Sequence, residues 1–319
     1  MLASTLEALH AIPTLARRAA RSSSEALYTI YLFSESNVTG VLLPAVPRDG
    51  LRTRWRFDMA DFFEGFLWLE LHLLAFEVTG VEEDKLQKPH RPIPSGRIAQ
   101  SQARTLYICV IIAALAMSAR HGIACVTVIF IGAITVYNEG CLARFWYFKS
   151  GLALLGYAWF CSGTAICFND DRPLPPRTLW ATSCLALIFF TTGHAQDFRD
   201  REGDAAIGRR TLALILPHRF ARWSLSALIV AWAAAACRCW APPLPFSMLV
   251  CALAGATALS FLTDHSQEAD KQSYCVYNLW LSCNALPLFD RWREHGASST
   301  VEDAFSYMQV CFSYSLSGI

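Results

Sequence analysis

A chain built from repeated runs of about 20 mainly apolar residues has little choice of fold. In hydrocarbon a single segment satisfies its own backbone N–H and C=O groups only as an α-helix. Nine such runs occupy residues 26–46, 59–79, 103–119, 122–141, 149–168, 178–196, 211–236, 244–263 and 271–290, with charges and turn residues between them. Composition agrees, since 54% of the 319 residues are hydrophobic and 17% charged, on the apolar side of soluble proteins. The reading is an all-α polytopic membrane helical bundle of about nine transmembrane helices. It divides into an N-terminal cytoplasmic segment at 1–24, a membrane domain at 25–290 and a C-terminal tail at 291–319.

A formal net charge of +1 offers no general attraction to nucleic acid. The 12 cysteines lie mostly inside apolar runs and form no CxxC or Cys/His pattern, so they read as small hydrophobes. Residues 1–24 are weakly amphipathic and end in Arg17, Arg18 and Arg21, which leaves a mitochondrial presequence as an alternative reading. Most Lys and Arg residues fall on the membrane side that holds the loops after the second and sixth runs, and the positive-inside rule makes that side cytoplasmic. The cluster Arg48, Arg52, Arg54 and Arg56 opposes this.

Polar residues inside spans are costly and by default face a bundle interior. The first run carries Ser34, Glu35, Ser36 and Asn37, and the second carries Glu64, Glu70 and His72. Just beyond the sixth run, Asp197, Asp200 and Asp204 stand at i, i+3 and i+7, one stripe of a helix. Just beyond the second, Glu77, Gly80 and Asp84 repeat that spacing 120 residues earlier, with Glu83 beside Asp84. Carboxylates on one stripe repel unless cations neutralise them, and oxygen-only ligands suit Mg²⁺ shared with substrate phosphates. Lys85, Lys88, Arg91 and Arg97 interleave with the first cluster, Arg199, Arg201, Arg209 and Arg210 with the second. Acids, metal and phosphate-binding bases together describe a diphosphate clamp. The plainer alternative is a pair of solvated helix ends, their acids paired with the neighbouring arginines. The segment KPHRPIPSGR holds three prolines and reads as an ordered turn over the site.

RPIPSGR after an acidic helix end, paired with DFRDREGD, resembles the UbiA superfamily of intramembrane prenyltransferases over roughly residues 25–290. The resemblance implies nine transmembrane helices around a central cavity. The family's second motif, DxxDxxxD, is matched in full by Asp197, Asp200 and Asp204. Its first, NDxxDxxxD, is degenerate here, with Phe76, Glu77 and Gly80 at its first three fixed positions and only Asp84 retained; Gln87 replaces an expected Asn. Tyr137 begins the family's Tyr-xxx-Lys pattern, but Cys141 stands at the Lys position, leaving Arg144 or Lys149 as substitutes.

By this resemblance Asp84, Asp197, Asp200 and Asp204 are catalytic, and Mg²⁺ is held by Glu77, Glu83, Asp84, Asp197, Asp200 and Asp204. Diphosphate is bound by Lys88, Arg91, Arg97, Arg144, Lys149 and Arg199, and Phe76, Tyr137, Asn138 and Tyr157 line the cavity. LYTIYLFSESNVTGVLLPAV and EEDKLQKPHRPIPSGR are similar to the fungal branch, which includes class I terpene cyclases beside prenyltransferases. The implied activity is ionisation of farnesyl or geranylgeranyl diphosphate inside the membrane, in contact with membrane lipid. Intramolecular cyclisation to a sesqui- or diterpene would follow, the alternative being transfer to an aromatic or other acceptor. The implied location is the endoplasmic reticulum or another endomembrane. A polytopic transporter or receptor is the alternative of another class. Transporters, however, tend to show repeated halves with helices broken at the midplane.

Overall fold

The computed structural model describes residues 24–26, 28–33, 59–77, 84–85, 88–140, 142–168, 174 and 176–284, except the side chains of 59–63, 75–77, 138, 139, 143, 168, 177 and 178. Among these residues every named element is helical: α1 (Met59–Glu77), α2 (Gln100–Arg120), α3 (Ala124–Glu139), α4 (Trp146–Phe168), α5 (Pro176–Thr192), α6 (Ala195–Arg199), α7 (Arg201–Ala206), α8 (Leu212–Ile215), α9 (His218–Trp240), α10 (Leu244–Thr263), α11 (Gln267–Cys283) and a 3₁₀ turn at Leu142–Arg144. Four of them are long and apolar enough to cross a membrane: α2, α4 over Trp146–Cys167, α9 and α10. Of the first predicted run, 26–46, only residues 26 and 28–33 are described, and they are helical.

The long helices leave large apolar residues outside, while small residues take part in their buried faces, on α9 beside the buried Arg222, Leu225 and Ile229. On α2 the buried positions are Ala103, Val110, Ala114 and Ser118, while Ile108 and Ile112 are exposed. On α9 Ala221, Ser226, Ala233 and Ala236 face in, and Trp223 and Val230 face out. Close backbone approach through small residues, with bulky apolar groups left outside, suits a lipid surround rather than water. Neighbours pack in a row: α3 on α2, α2 on α1, α1 on α4, α4 on α5, α5 on α9, α9 on α10, and α10 on α11, which also holds α6.

Helix ends shift by a few residues from the predicted runs, and two of the differences have a local cause. The run expected at 211–236 is split, because Pro217 has no N–H to give a continuing helix; α8 ends at Ile215 and Pro217 caps α9. The last helix begins at Gln267, before the predicted 271, where the Ser266 hydroxyl accepts the Ala269 N–H at 3.3 Å.

The polar residues of α1 are absorbed by its neighbours. Glu64 pairs with Arg120 at the end of α2, 2.8 Å away. Deeper, Trp68 Nε1 donates to Ser118 Oγ at 2.9 Å, the Ser118 and Thr127 hydroxyls bond at 2.7 Å, and Thr127 Oγ1 lies 3.3 Å from His72 Nε2. The circuit closes through His72 Nδ1, 2.7 Å from the Trp68 carbonyl. A carbonyl only accepts, so Nδ1 carries the proton and the imidazole is the Nδ1–H tautomer. The knot ties α1, α2 and α3 together, and α4 meets it at Gly163, where an added Cβ would stand 2.1 Å from the Trp68 ring. Gly163→Ala should therefore cost about 1–3 kcal/mol through overpacking. The expected readout is a lower melting temperature in detergent, with Gly132→Ala, where a Cβ meets nothing within 4 Å, as the neutral control.

Candidate active site

The second acidic motif sits where α5 gives way to two short helices. Helix α6 ends at Arg199, Asp200 adopts φ −95° and ψ 7°, and α7 begins at once. Helical bonding runs through the break, from Asp200 N to Gln196 O (3.1 Å) and from Asp204 N to Asp200 O (2.9 Å), so the stripe predicted from spacing is kept. All three aspartates are buried.

Each aspartate has a basic partner. Lys149 Nζ lies 2.5 Å from Asp197 Oδ1 and 3.8 Å from Asp204 Oδ2. Arg199 grips Asp200 through Nε and Nη2, both at 2.7 Å, and Gln196 adds a bond at 3.3 Å. Arg209 Nη1 donates to Asp204 Oδ1 at 3.1 Å. Lys149 belongs to α4, 48 residues before Asp197, and a short main-chain ladder brings it there: Arg210 N donates to Arg144 O at 2.7 Å and Trp146 N to Arg210 O at 3.1 Å. The loop leaves α7 through Gly208 at φ +72°, a left-handed conformation that glycine adopts without strain, and so reaches the start of α4.

Of the first motif the structure describes Asp84, which is buried and accepts from Arg91 Nη1 at 3.0 and 3.1 Å. Lys88, four residues on, bonds by its N–H to Asp84 O (2.8 Å), and its charge acts on Asp200, which brings the two motifs into one electrostatic site. Glu83 lies outside the described residues, as do the side chains of Glu77, Phe76 and Asn138. Arg97 is not brought to the acids: it pairs with Glu25, donates to Thr29 Oγ1 at 2.7 Å and stacks over Tyr28. The Arg144 side chain is exposed, and its role here is the backbone bond to Arg210. Tyr137 is buried on α3, and Tyr157 is buried in a stack on Phe189, ring centroids 4.4 Å apart.

Electrostatics separate the aspartates. Burial alone would push the Asp200 carboxyl up, but the Arg199 guanidinium, helped by Lys88 and Lys149, holds it well below the usual carboxylate range. At Asp204 burial prevails over Lys149 and Arg209 and the carboxyl is pushed up. Its Oδ2 is buried and accepts no hydrogen bond. Among the described residues no three His, Cys, Asp or Glu side chains form an ion cage, the carboxylates being turned to their bases. The donor set nevertheless fits Mg²⁺: oxygens only, with one buried oxygen of Asp204 unsatisfied and Asp197 held by a single ammonium.

Two residues beside this site carry no role in the sequence reading, Tyr274 and Asp270 of α11; Tyr274 lies under the Arg199 guanidinium at 4.4 Å. Nothing local marks them, since they meet the motif only across the bundle.

Residues 77–283 match the model of the UbiA prenyltransferase family. The chain belongs to that family. Similar to this UbiA member is the fumagillin beta-trans-bergamotene synthase of Aspergillus fumigatus, 39% identical over 274 residues, covering 84% of this chain and 94% of the relative. A polyprenyl transferase of Hericium erinaceus is 29% identical over 208 residues, 61% of this chain and 69% of its own. Among solved structures, a UbiA homolog from Archaeoglobus fulgidus bound to DMAPP and Mg²⁺ superposes with a TM-score of 0.54 at 13% identity, over 80% of this chain and 97% of that one, which establishes a shared fold.

The geometry separates two arginines that the motif alone treats alike. The Arg91 guanidinium is buried against buried Asp84, where a lysine would have to place a shorter, more strongly hydrated head, whereas at Arg97 lysine keeps the charge opposite the exposed Glu25. Arg91→Lys should lower kcat/KM for a prenyl diphosphate about tenfold, and Arg97→Lys should leave it within about twofold. Steady-state kinetics on the two purified variants checks this.

Proposed function

We propose that this protein is a membrane-embedded, Mg²⁺-dependent class I terpene cyclase that ionises farnesyl or geranylgeranyl diphosphate and closes the resulting cation into a sesqui- or diterpene. The observation that carries the reading is the intact Asp197, Asp200 and Asp204 stripe, buried and ringed by Lys149, Arg199 and Arg209. Similarity to a terpene synthase along nearly the whole of both chains supports cyclisation over transfer. Transfer to an acceptor is the second reading, supported by the likeness to a polyprenyl transferase over part of the chain.

Residues 25–290 form the membrane domain on this reading, with nine spans around a cavity, in the endoplasmic reticulum or another endomembrane. Asp197, Asp200 and Asp204, together with Asp84, Glu77 and Glu83, would hold Mg²⁺, which when bound supplies positive charge for the diphosphate oxygens. Lys149 and Arg209, which pair with Asp197 and Asp204, would offer their donors to those oxygens as well, together with Lys88, Arg91 and Arg199. The allylic C–O bond breaks with its electron pair leaving on the diphosphate, and fixed cations stabilise that charge without reorganising. An alkene of the same chain then captures the allyl cation, and loss of a proton ends the sequence. Phe76, Tyr137, Asn138 and Tyr157 are the cavity residues assigned to shield that cation from water.

Purified protein incubated with Mg²⁺ and geranyl, farnesyl or geranylgeranyl diphosphate, without acceptor, should release diphosphate and form a cyclic hydrocarbon. Turnover that requires an added acceptor would identify a transferase. Diphosphate release excludes the transporter or receptor class, and its absence under both conditions would overturn the proposed activity. Asp197→Ala and Asp204→Ala should each reduce turnover by at least about 10²-fold. Near-wild-type turnover in both folded variants would overturn the clamp.

A further inference from the structure

Helix α11 presents Asp270, Tyr274 and Tyr277 at i, i+4 and i+7, and each holds a different part of the segment that bears the second motif. Tyr277 bonds through its hydroxyl to Thr192 Oγ1, 2.9 Å away, where α5 ends. Tyr274 lies beneath the Arg199 guanidinium that grips Asp200. Asp270 takes both terminal nitrogens of Arg222 at 2.7 Å, and Arg222 places its guanidinium 4.6 Å over the Phe198 ring. Phe198 is the residue between Asp197 and Arg199 in sequence, and it is fully buried.

Arg222 has no freedom left. Its Nη1 also donates to Phe261 O at 3.0 Å and its Nε to His218 Nε2 at 3.1 Å, so three groups, one each from α9, α10 and α11, fix the plane that Phe198 packs against. Both members of the ion pair are about 1% exposed. Such a pair is a poor source of stability, because desolvation of two ions costs several kcal/mol and an apolar pair of equal volume often does as well. What an apolar pair does not supply is a planar face locked at one orientation. Arg222 and Asp270 bond to each other, and Arg222 to Phe261 O and His218, rather than to the three motif aspartates, and Arg222 meets the motif segment at the Phe198 ring.

We infer that the Arg222–Asp270 pair is a positioning device for the metal-binding aspartates. Through Phe198 it sets the pitch of α6, holding Asp197 and Asp200 in register before metal or substrate arrives. The inference rests on the reading of Asp197, Asp200 and Asp204 as the metal and diphosphate site.

The test uses the full chain in detergent, by amide hydrogen exchange without metal and by turnover against Mg²⁺ concentration. Phe198→Leu keeps the ion pair and removes the ring face. Amides of residues 195–206 should then exchange about tenfold faster or more, while α2 and α4 exchange as in the wild type. The Mg²⁺ concentration for half-maximal turnover should rise about tenfold, with turnover at saturating Mg²⁺ within about threefold, because a small misplacement of ligands weakens capture before it abolishes chemistry. The double variant Arg222→Met with Asp270→Leu removes the buried charges together. It should melt within a few degrees of the wild type yet share the fast exchange and raised Mg²⁺ requirement. Wild-type exchange at 195–206 with wild-type Mg²⁺ dependence, in either variant, would reduce the pair to packing and overturn the inference. If the double variant does not fold, Phe198→Leu decides alone. Asp197→Ala run in parallel keeps the two levels apart: full activity there refutes the site itself, whatever the exchange of the other variants shows.

Discussion

Three buried carboxylates within eight residues can share one end of a helical bundle only if cations stand among them, and much of the architecture around the site serves that need. Lys149 arrives from α4, Arg199 and Arg209 from the motif's own surroundings, and Lys88 from the loop of the first motif. A charge left alone in such a place would cost far more than any single packing contact in the bundle. The isolated bridge between Phe145 and Arg210 matters for this reason: it is a few main-chain bonds long, yet it delivers the ammonium between Asp197 and Asp204.

The helices were legible because hydrophobic length is a local property. A run of apolar residues must span, and most of the runs reappear as helices with ends shifted by a few residues. Where the reading slipped, a single residue is responsible: Pro217 divides a run that hydropathy treats as continuous, and Ser266 starts the last helix ahead of its apolar stretch. Hydropathy averages over a window, and these boundaries are set by one missing or one extra hydrogen bond.

The site was legible in part for the same reason. Positions i, i+3 and i+7 share a face whatever else the chain does, so the stripe of aspartates could be read directly. Which base meets which acid could not. Arg91 and Arg97 flank the same proline-rich turn, and the approach of Glu25, Tyr28 and Thr29 draws Arg97 away while Arg91 turns to Asp84. Nothing local in the sequence sets Arg222 apart from other positive charges, and its partner Asp270 lies 48 residues away. Spacing along one helix carries no information about pairing between helices.

The contact between Trp68 and Gly163 bears on how a chain of this kind can change. The indole fills the space a side chain at 163 would need, while its N–H is committed to Ser118. A lineage that reshapes this wall of the bundle must therefore shrink residue 68 before it enlarges residue 163, and the first step leaves the Ser118 hydroxyl short of a donor. The order of substitutions is constrained even where the final combination would pack well, so the two positions should be inherited as a pair.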